Sequence, residues 1–168
     1  AAEEEIIEHE ERELIESIIE FGDTVVREIM IPRPDIIAVE SDVSVDEALD
    51  LAFEHGVSRL PVLRADDDHE EVLGIAYAKD LMKAVRSGQG AAALGSLVRT
   101  VVVVPENKPV SKLMRDMQRD HFHMAIVADE YGSIAGLVTL EDCLEELVGE
   151  IVDEHDAEDP DKIGRAHV

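Results

Sequence analysis

GLVTLEDC at residues 136–143 repeats a stretch that occurs earlier in the chain, GIAYAKDL at residues 74–81, after an offset of 62 residues. Upstream the likeness continues at an offset of 65, where IIAV at 36–39 corresponds to VVVV at 101–104. A duplicated unit of about 60 residues is too small to bury a generous core alone. We therefore expect the two copies to pack together and to leave a cleft between them.

Apolar periodicity predicts the same element order, β-α-β-β-α, in each copy. Asp42 or Ser44 caps the first helix of copy one, and Gly56 ends it. Pro32 and Pro34 exclude helix and predict an extended lead into the first strand. The predicted elements are strand 36–39, helix 45–54, strands 59–63 and 72–77 and helix 79–86, then strand 101–104, helix 110–119, strands 124–127 and 134–138 and helix 141–152.

The flanking segments complete the predicted domain organisation. An acidic amphipathic helix over 3–20 and a short helix over 25–30 precede the first strand. The predicted divisions are 1–22 for the N-terminal connecting helix, 23–86 for repeat one, 87–93 for a linker, 94–152 for repeat two and 153–168 for an acidic, disordered tail.

Composition excludes several classes of function. The 168 residues include 40 acidic and 15 basic side chains, and the net charge of −25 would repel a nucleic-acid backbone while attracting divalent cations. The single Cys143 excludes an internal disulfide framework and fits a reducing compartment. No apolar run approaches the length of a membrane span, so the chain as given is predicted to be soluble.

Five ordered motifs resemble a known family. The α/β (α+β) duplication of βαββα units is similar to tandem cystathionine-β-synthase (CBS) repeats forming one Bateman module, and more narrowly to the CorC and cyclin-M class of magnesium and cobalt transport or efflux proteins, also called hemolysin-like. The motifs are MIPRPDIIAV at 30–39, SRLPVL at 58–63, YAKDL at 77–81, HMAIVADEYG at 123–132 and GLVTLEDCLEELVGEIVDE at 136–154.

The resemblance implies a place in a larger protein. Members usually carry the CBS pair on the cytoplasmic side of the membrane, joined to a membrane-spanning domain, and the N-terminal helix resembles the joining segment. A soluble branch of the family is the open alternative. The family's flat paired modules also imply a homodimer built on helices 45–54 and 79–86 and their equivalents in repeat two.

Thr139 and Asp142 are the predicted centre of an adenine-nucleotide site. A carboxylate can accept two hydrogen bonds from a ribose diol, and a threonine hydroxyl can donate to a ribose or phosphate oxygen. Their turn precedes a predicted helix, whose free N–H groups favour anions. Repeat one keeps Asp80 but has Tyr77 in place of the threonine, so we expect one strong site per chain.

The other predicted contacts follow from the same resemblance. Arg59 and Tyr77 are expected near the phosphates, with His123 as a further phosphate contact, whereas Lys79 is expected to be a solvated residue at a helix start. The adenine is expected between two apolar stretches, Thr100, Val101 and Val102 on one side and Met124 and Ala125 on the other.

ATP, or ADP or AMP, is the predicted ligand, and ATP is expected to bind as its Mg²⁺ complex. The cation would be held mainly by phosphate oxygens, with Glu141 or Glu145 assisting through water, because it relieves the repulsion between ATP and an acidic chain. His121 and His123 lack a tetrahedral set of partners, so no metal site formed by protein ligands alone is predicted. Cys143 lies on an apolar helix face and is expected to pack in the core.

Two functions fit this pattern. The first is a regulatory Mg-ATP sensor of a Mg²⁺ or Co²⁺ transport or efflux protein. The second is a nucleotide-independent module for dimerisation or assembly. The sequence has no nucleophile triad, Walker loop or glycine-rich fingerprint, so an enzyme is not predicted.

Overall fold

The computed structural model describes residue 9, residues 22–65 and residues 69–158. In chain order the helices are α1 (Val26–Ile29), α2 (Val45–His55), α3 (Ala78–Arg86), α4 (Val110–Asp120) and α5 (Leu140–Glu158). The strands are β1 (Ile31–Pro32), β2 (Val39–Glu40), β3 (Arg59–Ala65), β4 (Glu70–Tyr77), β5 (Val102–Pro105), β6 (Met124–Ala128) and β7 (Ile134–Thr139). Short 3₁₀ helices occupy Arg33–Asp35 and Leu94–Leu97.

The strands form two sheets. In the three-stranded sheet β2-β3-β4, β2 runs parallel to β3 with Val39 opposite Val62, and β3 runs antiparallel to β4 with Arg59 opposite Tyr77. The pairing of Arg59 with Tyr77 brings two predicted site residues together at one end of this hairpin. The other sheet has the order β1-β7-β6-β5.

The chain folds into two compact units that do not coincide with the two repeats. The Thr139 unit contains, among the described residues, 22–30, 104–127 and 137–158, and the Tyr77 unit contains Ile31–Val103 and Ala128–Gly136. The first part of each repeat, residues 23–30 in repeat one and 94–103 in repeat two, therefore belongs to the unit that holds most of the other repeat. The repeats are defined by similarity in sequence and the compact units by contact in space. The units therefore do not test the predicted bounds of the repeats, which remain predictions.

Backbone hydrogen bonds join the start of repeat one and the connector to their units. In the Thr139 unit, Val26 N–H donates to the Lys108 carbonyl and Val110 N–H to the Thr24 carbonyl, each at 2.9 Å. In the Tyr77 unit, Val45 N–H donates to the Ala92 carbonyl at 2.9 Å.

The Tyr77 unit has an aliphatic core. Leu60 and Val62 of β3 and Leu81 of α3 have no exposed surface, and the fully buried Leu94 belongs to the same cluster. Each such side chain contributes about 1.5–3 kcal/mol on burial. Leu94 lies in the connecting segment, which is therefore part of the core.

The duplication extends to individual hydrogen bonds. Ala78 N–H donates to the Ser58 carbonyl at 2.9 Å, and Leu140 N–H donates to the His123 carbonyl at 2.8 Å. These pairs are related by the two offsets read from the sequence, 62 for the donors and 65 for the acceptors. The structure thus supports both offsets.

The predicted helix starts and stops are largely confirmed. The Ser44 hydroxyl accepts from Glu47 N–H at 3.1 Å and caps α2, and Gly56 ends α2 with φ of 64°. The remaining strand and helix bounds agree within a few residues, except for the changes described next.

Two predicted bounds need correction, one short helix was not predicted, and one prediction falls outside the described residues. The first strand of repeat one is only Val39–Glu40, because Pro34 fits the 3₁₀ turn Arg33–Asp35 in the lead that was predicted to be extended. A 3₁₀ helix, Leu94–Leu97, follows the connector, and α5 continues to Glu158 instead of ending near residue 152. The predicted helix 3–20 lies outside the described residues apart from His9.

Among the described helices, none combines the length and the apolar character needed to cross a bilayer.

Candidate functional site

Thr139 and Asp142 form a reciprocal cap at the start of α5. Asp142 N–H donates to Thr139 Oγ1 at 3.1 Å, and Thr139 N–H donates to Asp142 Oδ2 at 3.2 Å. This is the arrangement of a capping box, in which a threonine and an acidic residue three positions later satisfy each other's backbone N–H groups. The pair therefore has a structural role that the sequence interpretation did not consider.

The cap leaves polar atoms of both side chains available. Within the described residues, Asp142 Oδ1 accepts no hydrogen bond, and the Thr139 hydroxyl donates none. The N–H groups of Thr139 and Asp142 are already used, and the two side chains still offer a carboxylate oxygen and a hydroxyl donor. Those groups suit a diol better than a phosphate.

The other predicted residues of the Thr139 unit differ in exposure. His123 is exposed, and its carbonyl is used by Leu140 N–H. Met124 and Ala125 are 7% and 0% exposed. Ala125 is therefore a core residue in this structure, and Met124 offers a ligand only a small surface.

In the Tyr77 unit, three cations surround the ring of Tyr77. The Arg99 guanidinium carbon lies 4.3 Å from the ring centroid, that of Arg59 lies 5.6 Å away, and Lys79 Nζ lies 5.8 Å away. A cation over an aromatic face is attracted by the ring quadrupole. This basic cluster stands out on a chain whose net charge is −25.

Arg99 was missed by the sequence interpretation. Its Nε donates to Asp80 Oδ2 at 2.8 Å and its Nη2 to Asp80 Oδ1 at 2.9 Å, so both carboxylate oxygens are engaged. The signal in the sequence was the basic residue just before the predicted strand 101–104. Nothing in the local pattern indicated that it would reach Asp80, 19 positions away.

Arg59 and Lys79 differ from Arg99 in their partners. Among the residues that the structure describes, neither forms an ion pair, and Arg59 is half-buried while Lys79 is exposed. Their charges are thus available to an anionic group.

The predicted adenine contacts of the Tyr77 unit lie on its surface. Thr100 is exposed, Val101 is half-buried and Val102 is 37% exposed. An exposed valine at the start of β5 presents apolar surface that a planar ring could cover.

Acidic and thiol groups follow Thr139 along α5. Glu141 and Glu145 are exposed. Burial raises the pKa of Cys143 to about 12, with the Asp142 charge adding to the effect, so the thiol stays protonated at neutral pH. In the described part of the chain, no cluster of three or more His, Cys, Asp or Glu residues is arranged to hold a metal ion.

A separate cavity of about 220 Å³ lies at the other end of β3 in the Tyr77 unit. Arg33 and Glu70 line it and form a two-point ion pair with both distances at 2.7 Å, which lowers the pKa of Glu70. No predicted site residue lines this cavity. The remaining lining residues are Ile36, Ala38, Val39, Glu40, Leu63 and Ala65.

Comparison with known proteins identifies both repeats. Residues 26–87 and 94–149 each match the family model of the CBS domain. A solved CBS domain of the bacterial CNNM/CorC family Mg²⁺ transporter in complex with ATP is 43% identical, with a TM-score of 0.75, covering 83% of this chain and 98% of that one. The chain belongs to the CNNM/CorC family of CBS-domain pairs.

Two curated relatives show how far this CBS pair extends. The magnesium and cobalt efflux protein CorC of Salmonella typhimurium is 44% identical over 155 residues, which is 92% of this chain and 52% of that protein. A UPF0053 protein of Mycobacterium tuberculosis is 45% identical over 154 residues, 90% of this chain and 35% of that protein. The CBS pair thus spans about half the length of CorC and a third of the mycobacterial relative.

The family and the tandem CBS fold predicted from the sequence are confirmed. The matched family is not an enzyme family, in agreement with that prediction. The individual contact residues are not tested by these comparisons and stay predictions.

Proposed function

We propose that this CBS pair is the adenine-nucleotide sensor of a CorC-type protein that moves Mg²⁺ or Co²⁺, and that Mg-ATP is its ligand. The observation that carries the proposal is the difference between two equivalent carboxylates. Asp142 keeps one oxygen unengaged beside the Thr139 hydroxyl, whereas Asp80 has both oxygens bound to Arg99. One turn therefore has groups to offer a ribose, and the other does not.

The ATP complex of a CBS domain 43% identical to this chain supports an adenine nucleotide as the ligand. We assign the ribose to Thr139 and Asp142 and the phosphates to Arg59 and Tyr77, with His123 as a further contact. We assign the adenine to the surface of Thr100, Val101 and Val102, and Met124 stays a predicted contact. We assign no contact to Ala125, which has no exposed surface.

Magnesium enters the proposal through charge. Phosphates approaching a chain with net charge −25 are repelled, and a Mg²⁺ ion bound to phosphate oxygens reduces that repulsion. Mg²⁺ retains several waters when it is bound by phosphates and few protein groups. We assign to the exposed Glu141 a contact with such a water, which would make a dedicated protein cage unnecessary.

Sensing requires that the nucleotide favour one conformation of the parent protein. Binding shifts an equilibrium only by the difference in affinity between its two states. We propose that the N-terminal segment carries this preference to a membrane-spanning domain, with the CBS pair on the cytoplasmic side.

The test compares Asp142→Ala with Asp80→Ala in calorimetric titrations of Mg-ATP. Asp142→Ala should weaken binding at least tenfold, about 1.4 kcal/mol, because a charged acceptor is lost. Asp80→Ala serves as the matched control and should change the affinity far less. Equal losses from the two substitutions would contradict the assignment of a single site.

A second function, nucleotide-independent assembly, is favoured by one observation. Leu144, Val148 and Val152 follow one another at four-residue spacing on α5 and are 43%, 55% and 47% exposed. Such an apolar stripe on a helix needs a partner, and a second copy of the chain would supply one. A chain that sediments as a homodimer but gives no heat with Mg-ATP would favour this function over the sensor.

A further inference from the structure

We infer that the Arg99 side chain occupies the carboxylate of Asp80, in the turn at the start of α3, and thereby restricts the CBS pair to a single nucleotide site. The inference rests on the proposed function and deepens it, since it names the residue that determines how many nucleotides bind. Its basis is the environment of Asp80, which repeats the position of Asp142 at the offset of 62 residues.

The two turns share their backbone but differ in their side chains. The Ala78 and Leu140 N–H groups make equivalent hydrogen bonds, so both turns enter their helices in the same way. Thr139 and Asp142 cap α5, whereas Tyr77 makes no side-chain cap at the start of α3 and Asp80 is bound by Arg99. The two N–H donors of the Arg99 guanidinium thus bind the carboxylate oxygens that a ribose diol would need.

Arg99 is held in this position from three directions. Its N–H donates to the Ile75 carbonyl and its carbonyl accepts from Ile75 N–H, each at 2.9 Å. Its guanidinium lies over the Tyr77 ring and donates two hydrogen bonds to the Asp80 carboxylate, a two-point geometry that arginine provides and lysine does not. Because the backbone anchors do not involve the side chain, Arg99 can be truncated without removing them.

A phosphate-binding role for Arg99 predicts the opposite change in nucleotide affinity. If Arg99 were a phosphate ligand, its removal would weaken the binding of any nucleotide. If it blocks Asp80, its removal should strengthen binding at the first repeat, although a positive charge is lost. The sign of the change therefore separates the two roles.

The experiment is a calorimetric titration with AMP in a background where the second site is disabled. Asp142→Ala removes that site, and Tyr77→Thr restores the threonine that repeat one lacks. Adding Arg99→Ala to this double variant should tighten AMP binding at least tenfold, and a further Asp80→Ala should abolish the gain. An affinity that stays the same or falls after Arg99→Ala would overturn the inference.

Arg64→Ala in the same double variant is the matched control. Arg64 is also exposed, belongs to the same unit and pairs with Glu71, so its loss changes the net charge equally without touching Asp80. A gain from Arg64→Ala equal to that from Arg99→Ala would also overturn the inference.

The proposed function fails separately, if the unmodified chain binds no nucleotide or if Asp142→Ala leaves its affinity unchanged. Thermal unfolding checks that each variant is folded. Should the Arg99→Ala variant not fold, Arg99→Lys replaces it, because lysine cannot make the two-point contact; it too should tighten binding, and unchanged affinity would overturn the inference.

Discussion

His121 and Gly56 occupy equivalent positions at the ends of α4 and α2, and both adopt a left-handed backbone, with φ of 57° and 64°. Glycine has no Cβ and takes this conformation readily, whereas histidine does so at a cost. Repeat two therefore retains the helix ending of repeat one with a less suitable residue. His121 is the only non-glycine residue with positive φ among those the structure describes.

Exchanging these two residues should change stability in opposite directions. His121→Gly should raise the free energy of unfolding by about 1 kcal/mol, and Gly56→His should lower it by about the same amount, because the left-handed conformation is costly for a residue with a side chain. Urea unfolding of the two variants measures both values. A loss of stability in His121→Gly would mean that the imidazole makes a contact that outweighs the backbone cost.

Single residues also show how far sequence reasoning reached. The Ser44 cap and the Gly56 stop were predicted because both signals are local. The spacing of Thr139 and Asp142 was interpreted only as a ligand motif, although the same spacing produces a capping box. Arg99 could not be assigned, since its contact with Asp80 depends on which backbone segment lies beside β4.

At the scale of elements, Gly74 allows the segment at residues 98–99 to lie against β4. A Cβ placed on Gly74 would collide with the Arg99 carbonyl oxygen and would stand 2.5 Å from Val98 Cγ1. Both approaches are closer than any side chain tolerates, and one involves backbone that cannot move aside. The two hydrogen bonds between Ile75 and Arg99 therefore depend on a glycine in β4.

Gly74→Ala should destabilise the chain by about 2–3 kcal/mol, because the added methyl forces the bridge apart and two backbone hydrogen bonds weaken. Gly95→Ala is the control, since no atom lies within 4 Å of a Cβ placed there. Urea unfolding should show a clear loss for the first variant and little change for the second. Equal stabilities would show that the 98–99 segment can shift at no cost.

The elements that sequence reasoning placed correctly are those with strong periodicity. Helices α2, α3 and α4 and the hairpin β3-β4 fall within a few residues of their predicted bounds. The segment 31–38, which leads into β2, was harder to predict, because Pro34 fits the first turn of a 3₁₀ helix as well as an extended chain. The end of α5 was missed because acidic residues after 152 were interpreted as a tail, although acidic residues do not by themselves end a helix.

At the scale of the whole molecule, a net charge of −25 should couple ATP binding to magnesium. Mg²⁺ should tighten ATP binding about tenfold, or 1.4 kcal/mol, relative to NaCl at equal ionic strength, because sodium screens charge but does not bridge phosphate oxygens. AMP carries fewer charges and should respond far less. Calorimetric titrations of both nucleotides in the two salts provide the measurement.

Identical ATP affinities in MgCl₂ and NaCl would reduce the role of magnesium to screening of a diffuse acidic surface. The sensor would then respond to the nucleotide alone, and the exposed Glu141 would be a solvated residue of α5.

The interleaving of the two compact units bears on whether a single repeat can fold alone. A cut in the connector at 87–93 would separate Leu94 from the core it completes, and α1 would remain on the fragment that lacks its partner Lys108. The repeat visible in the sequence is therefore not a self-sufficient folding unit. A single repeat of this kind, expressed alone, would need a second copy to supply the segments that complete its core.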